Sequence, residues 1–122
     1  MNHINEFWDL DAWKIGNDFV IHIYTISKCF PRDEQFGLTS QIRRSSASIT
    51  ANIAEGFSRF SFKDKNRFYY NARGSLSETQ NHLLLAQSIG YINKDDCEKL
   101  INIASRIKQI INGLIRSTSK AQ

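Results

Sequence analysis

The sequence predicts an all-α fold, an antiparallel up-down-up-down four-helix bundle, on three observations. Breakers are scarce, with one proline and six glycines in 122 residues; an all-β domain needs a turn every ~8–12 residues. Four segments carry apolar residues at helical spacing, and the short connections between them favour antiparallel neighbours. No segment alternates apolar and polar residues as a half-buried strand does. The length fits one domain over residues 1–122. A hydrophobic share of 41% can fill a core, which excludes a globally disordered chain.

The first helix is expected over about residues 10–30. Asp9 and Asp11 stand at its start, where the positive end of a helix favours acids. Trp13, Gly16, Val20, Ile23, Ser27 and Phe30 form one stripe, and Ala12, Ile15, Phe19, His22 and Ile26 its neighbour. Together they make a face wider than a two-stranded coiled coil uses, with His22 read as a structural histidine on it. Pro31 ends the helix by disfavouring helical backbone at Phe30.

The second helix is expected over about 34–59, starting near Asp33 or Gly37. Leu38, Ile42, Ser45, Ile49 and Ile53 make its apolar stripe, with Ala54 alongside. A polar stripe, Gln41, Arg44, Ser48, Asn52, Glu55 and Arg59, repeats every three or four residues and so shares one face. The third helix, about 62–89, takes Ser61 as N-cap with Asp64 at the capping-box position. Leu76, Leu83, Leu84 and Ala86 are its core candidates, and Gly90 ends it. The fourth, about 94–117, follows Asn93 with Asp95, Asp96 and Glu98 in its first turn. Leu100, Ile103, Ile107, Ile110, Ile111 and Leu114 form its buried face, and the tail beyond reads as frayed. Gly16, Gly56, Gly74 and Gly113 fall inside helices at about 1 kcal/mol each relative to alanine. Close helix approach is the ordinary reason to keep them; a kink or exposed backbone is the alternative.

Residues 38–56, LTSQIRRSSASITANIAEG, resemble the signature of the bacterial four-helix-bundle proteins called 23S rRNA intervening-sequence proteins. DLDAWKIGNDFVIHIY, FPRDEQFGL, RFYYNARGSLSE and LAQSIGYI extend the likeness from about Phe7 to Ile115. The resemblance implies a four-helix bundle and a homopentameric ring with a narrowing axial channel. It extends to the accessory proteins of diversity-generating retroelements, which are basic, bind nucleic acid and associate with a reverse transcriptase. The ribosomal-RNA relatives have no established activity. One departure is Thr50, where the family usually carries a proline that would kink the second helix.

Charge is unevenly distributed. Residues 1–42 carry three bases against six acids, and residues 43–73 carry seven bases against two acids. Those bases are Arg43, Arg44, Arg59, Lys63, Lys65, Arg67 and Arg73, interleaved with Phe57, Phe60, Phe62, Phe68, Tyr69 and Tyr70. Cations neutralise phosphates and exposed rings stack on unpaired bases, so this segment is the candidate for RNA or DNA. A solvated turn whose aromatics are core or subunit contacts is the competing reading. On the third helix Asn71, Ser75, Glu78 and His82 form a stripe that can meet the polar one. Arg44 or Arg59 would then pair with Glu78, and Asn52 with Ser75 or backbone, inside the bundle, between subunits or along a ligand groove.

Signals for enzymes are weak. HExxH, P-loop and GxGxxG patterns are missing, and so is the Glu-x-x-His of di-iron bundles. Glu78 and His82, four apart on one helix, could in principle share a metal with Glu55, but neither a metal nor a cofactor is expected. Cys29 and Cys97 are 68 positions apart without a CxxC and read as reduced thiols of a cytoplasmic protein. No apolar run is long enough to span a membrane. A non-enzymatic oligomeric scaffold that binds nucleic acid is the leading expectation. A protein-interaction module is the alternative.

Overall fold

The computed structural model describes residues 3–121; Met1, Asn2 and Gln122 of the single-domain reading lie outside the described residues. Four helices carry the chain: α1 Asp11–Ser27, α2 Leu38–Ser58, α3 Phe62–Ser88 and α4 Lys94–Lys120. Short 3-10 turns at Phe7–Asp9 and Arg32–Glu34 precede α1 and α2. Among the described residues there is no strand. Cross-helix pairs fix the topology. Arg43 reaches back to Ser27 and Tyr24, Ser45 meets Thr79 while Ser48 meets Ser75, and Arg73 meets Asn112 while Gln80 meets Ser105. In each case the later residue of one helix meets the earlier residue of the next, so successive helices run antiparallel.

The boundaries depart from expectation for local reasons. α1 stops at Ser27, because Lys28, Cys29 and Phe30 donate to carbonyls three residues back and tighten the chain into Pro31. α2 starts at Leu38, because Arg32–Glu34 closes its own 3-10 turn and the Glu34 carboxylate then accepts the Leu38 N–H at 3.1 Å. α4 runs through Lys120, so the tail expected to fray is helical. Asn66 holds it, donating to the Ile115 carbonyl at 3.3 Å and the Ser119 hydroxyl at 2.8 Å. Ser61 and Asn93 cap α3 and α4 as expected. The Asp64 carboxylate, however, turns to Arg67 at 3.5 Å instead of closing a capping box. Gly90, at φ +85°, supplies the left-handed residue of a Schellman turn in which Tyr91 N–H reaches the Ala86 carbonyl at 2.8 Å.

The core joins Phe19 and Ile23 to Ile42, Ile49 and Ile53, and these to Tyr69, Leu76 and Leu83 and to Ile107 and Ile111. Leu84, expected inside, is 53% exposed. The buried line of α3 runs Tyr69, Ala72, Leu76, Thr79, Leu83, Ala86, and the residue after Leu83 turns about a quarter of the way round the helix. His22 is exposed as well, off the buried line of α1.

The helix glycines divide two and two. A Cβ at Gly56 would lie 2.7 Å from Tyr69 Cε1 and 3.0 Å from the Lys65 carbonyl, and one at Gly16 would lie 3.3 Å from Thr50 Cγ2. Thr50 thus packs its methyl against Gly16 of α1. Gly74 and Gly113 do not meet another helix: nothing lies within 4 Å of a Cβ at Gly74, and one at Gly113 would meet only Arg116 of its own helix. Gly56→Ala should therefore cost about 1–3 kcal/mol through overpacking, while Gly74→Ala should stabilise by up to about 1 kcal/mol through helix propensity. Urea unfolding midpoints of the two variants check this; equal midpoints would show that the α2–α3 approach does not need Gly56.

Candidate functional site

The polar stripes of α2 and α3 do meet. Ser48 and Ser75 hydroxyls lie 3.0 Å apart, and Ser45 and Thr79 hydroxyls 2.8 Å apart in the buried seam. Asn52 donates to the Ser48 carbonyl at 2.8 Å and to its hydroxyl at 3.0 Å, taking the backbone option. Above this seam lies a polar groove of about 330 Å³ lined by Gln41, Arg44, Ser45, Ser48, Ser75 and Glu78. The ion pairs expected across it do not form. Arg59 pairs with Glu55 one turn away at 3.4 Å and lies over the Phe68 ring at 4.6 Å. Glu78 turns to His82 at 3.5 Å. Near partners on the same helix need less ordering of long side chains than distant ones. Arg44 makes no hydrogen bond or ion pair among the described residues. Glu55 is engaged by Ser58 and Arg59 and does not join Glu78 and His82.

The seven bases of residues 43–73 do not form one patch. Arg43 donates to the Ser27 hydroxyl at 2.8 Å and lies over Tyr24, bracing α2 against α1. Arg73 donates to Asn112 at 2.7 Å beside Tyr70, bracing α3 against α4. Lys65 donates to the Phe57 carbonyl at 2.6 Å. It thereby satisfies a free carbonyl at the negative end of α2, and its partial burial holds its pKa below the usual lysine value. The remaining members gather at the α2–α3 turn. Arg59 and Arg67 flank the Phe68 ring at 4.6 and 4.4 Å, and Lys63 is exposed beside them. Phe60 stands fully exposed at the tip, with Phe62 partly exposed. Tyr69 belongs to the core, where burial pushes its phenol up to about 12.

Sequence reading missed two ties. Asn66 is a polar residue three positions before Tyr69, on the buried register; that misfit was its signal. The Tyr91 hydroxyl donates to Glu34 at 2.7 Å and joins the α1–α2 and α3–α4 connections. No local pattern announces that pair. The Leu38 N–H, and then the Tyr91 hydroxyl, hold the Glu34 carboxyl below its usual range. Neither cysteine is in a disulfide: Cys29 is exposed and Cys97 buried. Burial, then Glu98, raises the Cys97 thiol pKa. Among the described residues no helix is long and apolar enough to cross a membrane.

The family model for the 23S rRNA-intervening sequence protein matches residues 8–113. The chain belongs to that family. A crystal structure of a protein of unknown function from the S23 ribosomal protein family of Bacteroides thetaiotaomicron is similar to it. The two are 26% identical with a TM-score of 0.79, over 85% of this chain and 97% of the other. No curated protein matches the chain. Within this intervening-sequence protein the groove has a composite origin. Gln41, Arg44, Ser45 and Ser48 come from the QIRRSSASI run, and Ser75 and Glu78 from GSLSE, so two separate motifs line one surface.

Two outcomes follow from this geometry. Arg43→Ala should lose about 1–3 kcal/mol of stability while Arg44→Ala leaves it unchanged, as read from chemical unfolding. Glu34 has a depressed folded-state pKa, so its stabilisation is complete above the ordinary value of 4.5 and is lost as pH falls through the folded value. Melting curves from pH 7 to pH 3 should therefore fall more steeply for the native chain than for Glu34→Gln; parallel curves would remove the assignment.

Proposed function

We propose that this protein is a non-enzymatic helical scaffold of the cytoplasm that assembles as a homopentameric ring and binds single-stranded nucleic acid at its α2–α3 turns. The observation that carries the reading is Phe60, fully exposed among Arg59, Lys63 and Arg67. A solvated aromatic offers a face to an unpaired base, and the surrounding cations offer contacts to phosphate. Each turn is a weak site. Five copies at +4 each carry +20, and repeated contacts on one strand raise the effective affinity. The ring rests on the motif resemblance, and exposed Leu84 and Leu85 on α3, with Ile89 just after it, leave apolar surface for neighbours. The two free thiols favour the cytoplasm.

A second reading is a protein-interaction module, favoured by the α2–α3 groove, where Arg44 has no ion-pair partner among the described residues. The likeness to retroelement accessory proteins makes a reverse transcriptase the partner to test first. Pull-downs with and without nuclease separate the two readings.

Fluorescence anisotropy with a single-stranded oligonucleotide tests the leading one. Binding at ~50 mM salt should weaken steeply by ~200 mM. Phe60→Ala and the pair Lys63→Glu, Arg67→Glu should each weaken it at unchanged helicity. No binding at low salt would sink the nucleic-acid role, and sedimentation as a 14.1 kDa monomer would remove the ring.

A further inference from the structure

α1 and α4 make the least extensive of the contacts between neighbouring helices, and they leave an apolar cleft of about 420 Å³ between them. Ile26, Leu100 and Ile103 line it, with exposed Cys29 at its α1 edge and Asp96 and Lys99 on its α4 side. The cleft lies between the C-terminal half of α1 and the N-terminal half of α4. The α1–α2 connection emerges at that same end of the bundle.

That connection is fixed, yet it holds an aromatic ring in water. Phe30 packs against Tyr91 with ring centroids 5.5 Å apart, Tyr91 holds Glu34 at 2.7 Å, and Glu34 holds the Leu38 N–H. Two residues beyond Glu34, Phe36 is 90% exposed. Phe36 does not line its own chain's cleft. Exposed Arg32 and Asp33 belong to the same connection as Phe36, and Asp96 and Lys99 line the cleft, giving opposite charges for each other.

We propose that Phe36 of one copy seats in the α1–α4 cleft of the next. This deepens, and rests on, the ring reading. Projection and cleft share one end of the bundle, the one on the α1–α2 connection and the other between α1 and α4, so a rotation about an axis along the bundle brings them together. Each copy then gives one contact and receives one, the head-to-tail arrangement that closes into a ring. A small apolar ligand would fill the cleft but leave Phe36 in water; a second copy covers both.

Cys29 makes the contact testable, because it is the one exposed thiol among the described residues. Phe36→Cys, oxidised and run without reductant, should give a ladder of covalent multimers that Cys29→Ser abolishes. Phe36→Asp should lower the sedimentation mass at unchanged helicity. Native assembly with no ladder and a mass unaffected by Phe36→Asp would overturn the proposal and leave the ring standing. Covalent dimers that survive Cys29→Ser would also overturn it, since the introduced thiol would then be bonding to its own counterpart in another copy. Unchanged assembly of Phe36→Asp, together with apolar-dye binding that only Ile103→Glu removes, would assign the cleft to a small ligand instead. A native monomer would overturn the ring and the contact together.

Discussion

The close approach of α2 to α3 is the constraint on which the rest of this bundle depends. Gly56 has no side chain, so Tyr69 can lie against its backbone. Along the same seam Ser45 meets Thr79 and Ser48 meets Ser75. Small side chains bring the backbones close, and each of these hydroxyls finds a partner, so the burial of polar groups is not left uncompensated. Close packing below opens the polar groove above. It also keeps the α2–α3 turn short, which holds Phe60 out in solvent. The groove and the exposed turn thus follow from one packing decision.

Net charge overstates the binding surface of this chain. Arg43 and Arg73 act as struts to α1 and α4, and Lys65 closes the end of α2. A guanidinium that lies over an aromatic ring and donates to a fixed acceptor gains from geometry as much as from charge. What remains for an outside anion is local, at the α2–α3 turn and at Arg44. The basic middle segment therefore has two kinds of member, and sequence position alone does not separate them.

Much of the fold is legible in the sequence. Leu38, Ile42, Ser45, Ile49 and Ile53 repeat at helical spacing and all are buried; the N-caps Ser61 and Asn93 are where short polar side chains belong. Legibility fails where side chains answer to distant partners. α3 buries Thr79 and the side-chain NH2 of Asn66 because Ser45 and Ser119 partner them, so its inward line reads as polar and Leu84 reads as core. α2 begins after Gly37, the later of the two starts expected, because Glu34 belongs to a separate turn. The two motif stripes meet as expected, but Arg59 and Glu78 choose neighbours one turn away, and Arg44 takes none among the described residues.

Covalent linkage is unequal at the two ends of the bundle. Two connections cross one end, and Tyr91 and Glu34 clasp them together. The other end has only the α2–α3 turn, with the Phe7–Asp9 turn and the last turn of α4 beside it. Asn66 does there what a third connection would have done, tying α4 back to α3 without a peptide link. The start of α1 and the end of α4 therefore share the end of the bundle that carries Phe60 and the basic turn, and the clasped end is left clear of both.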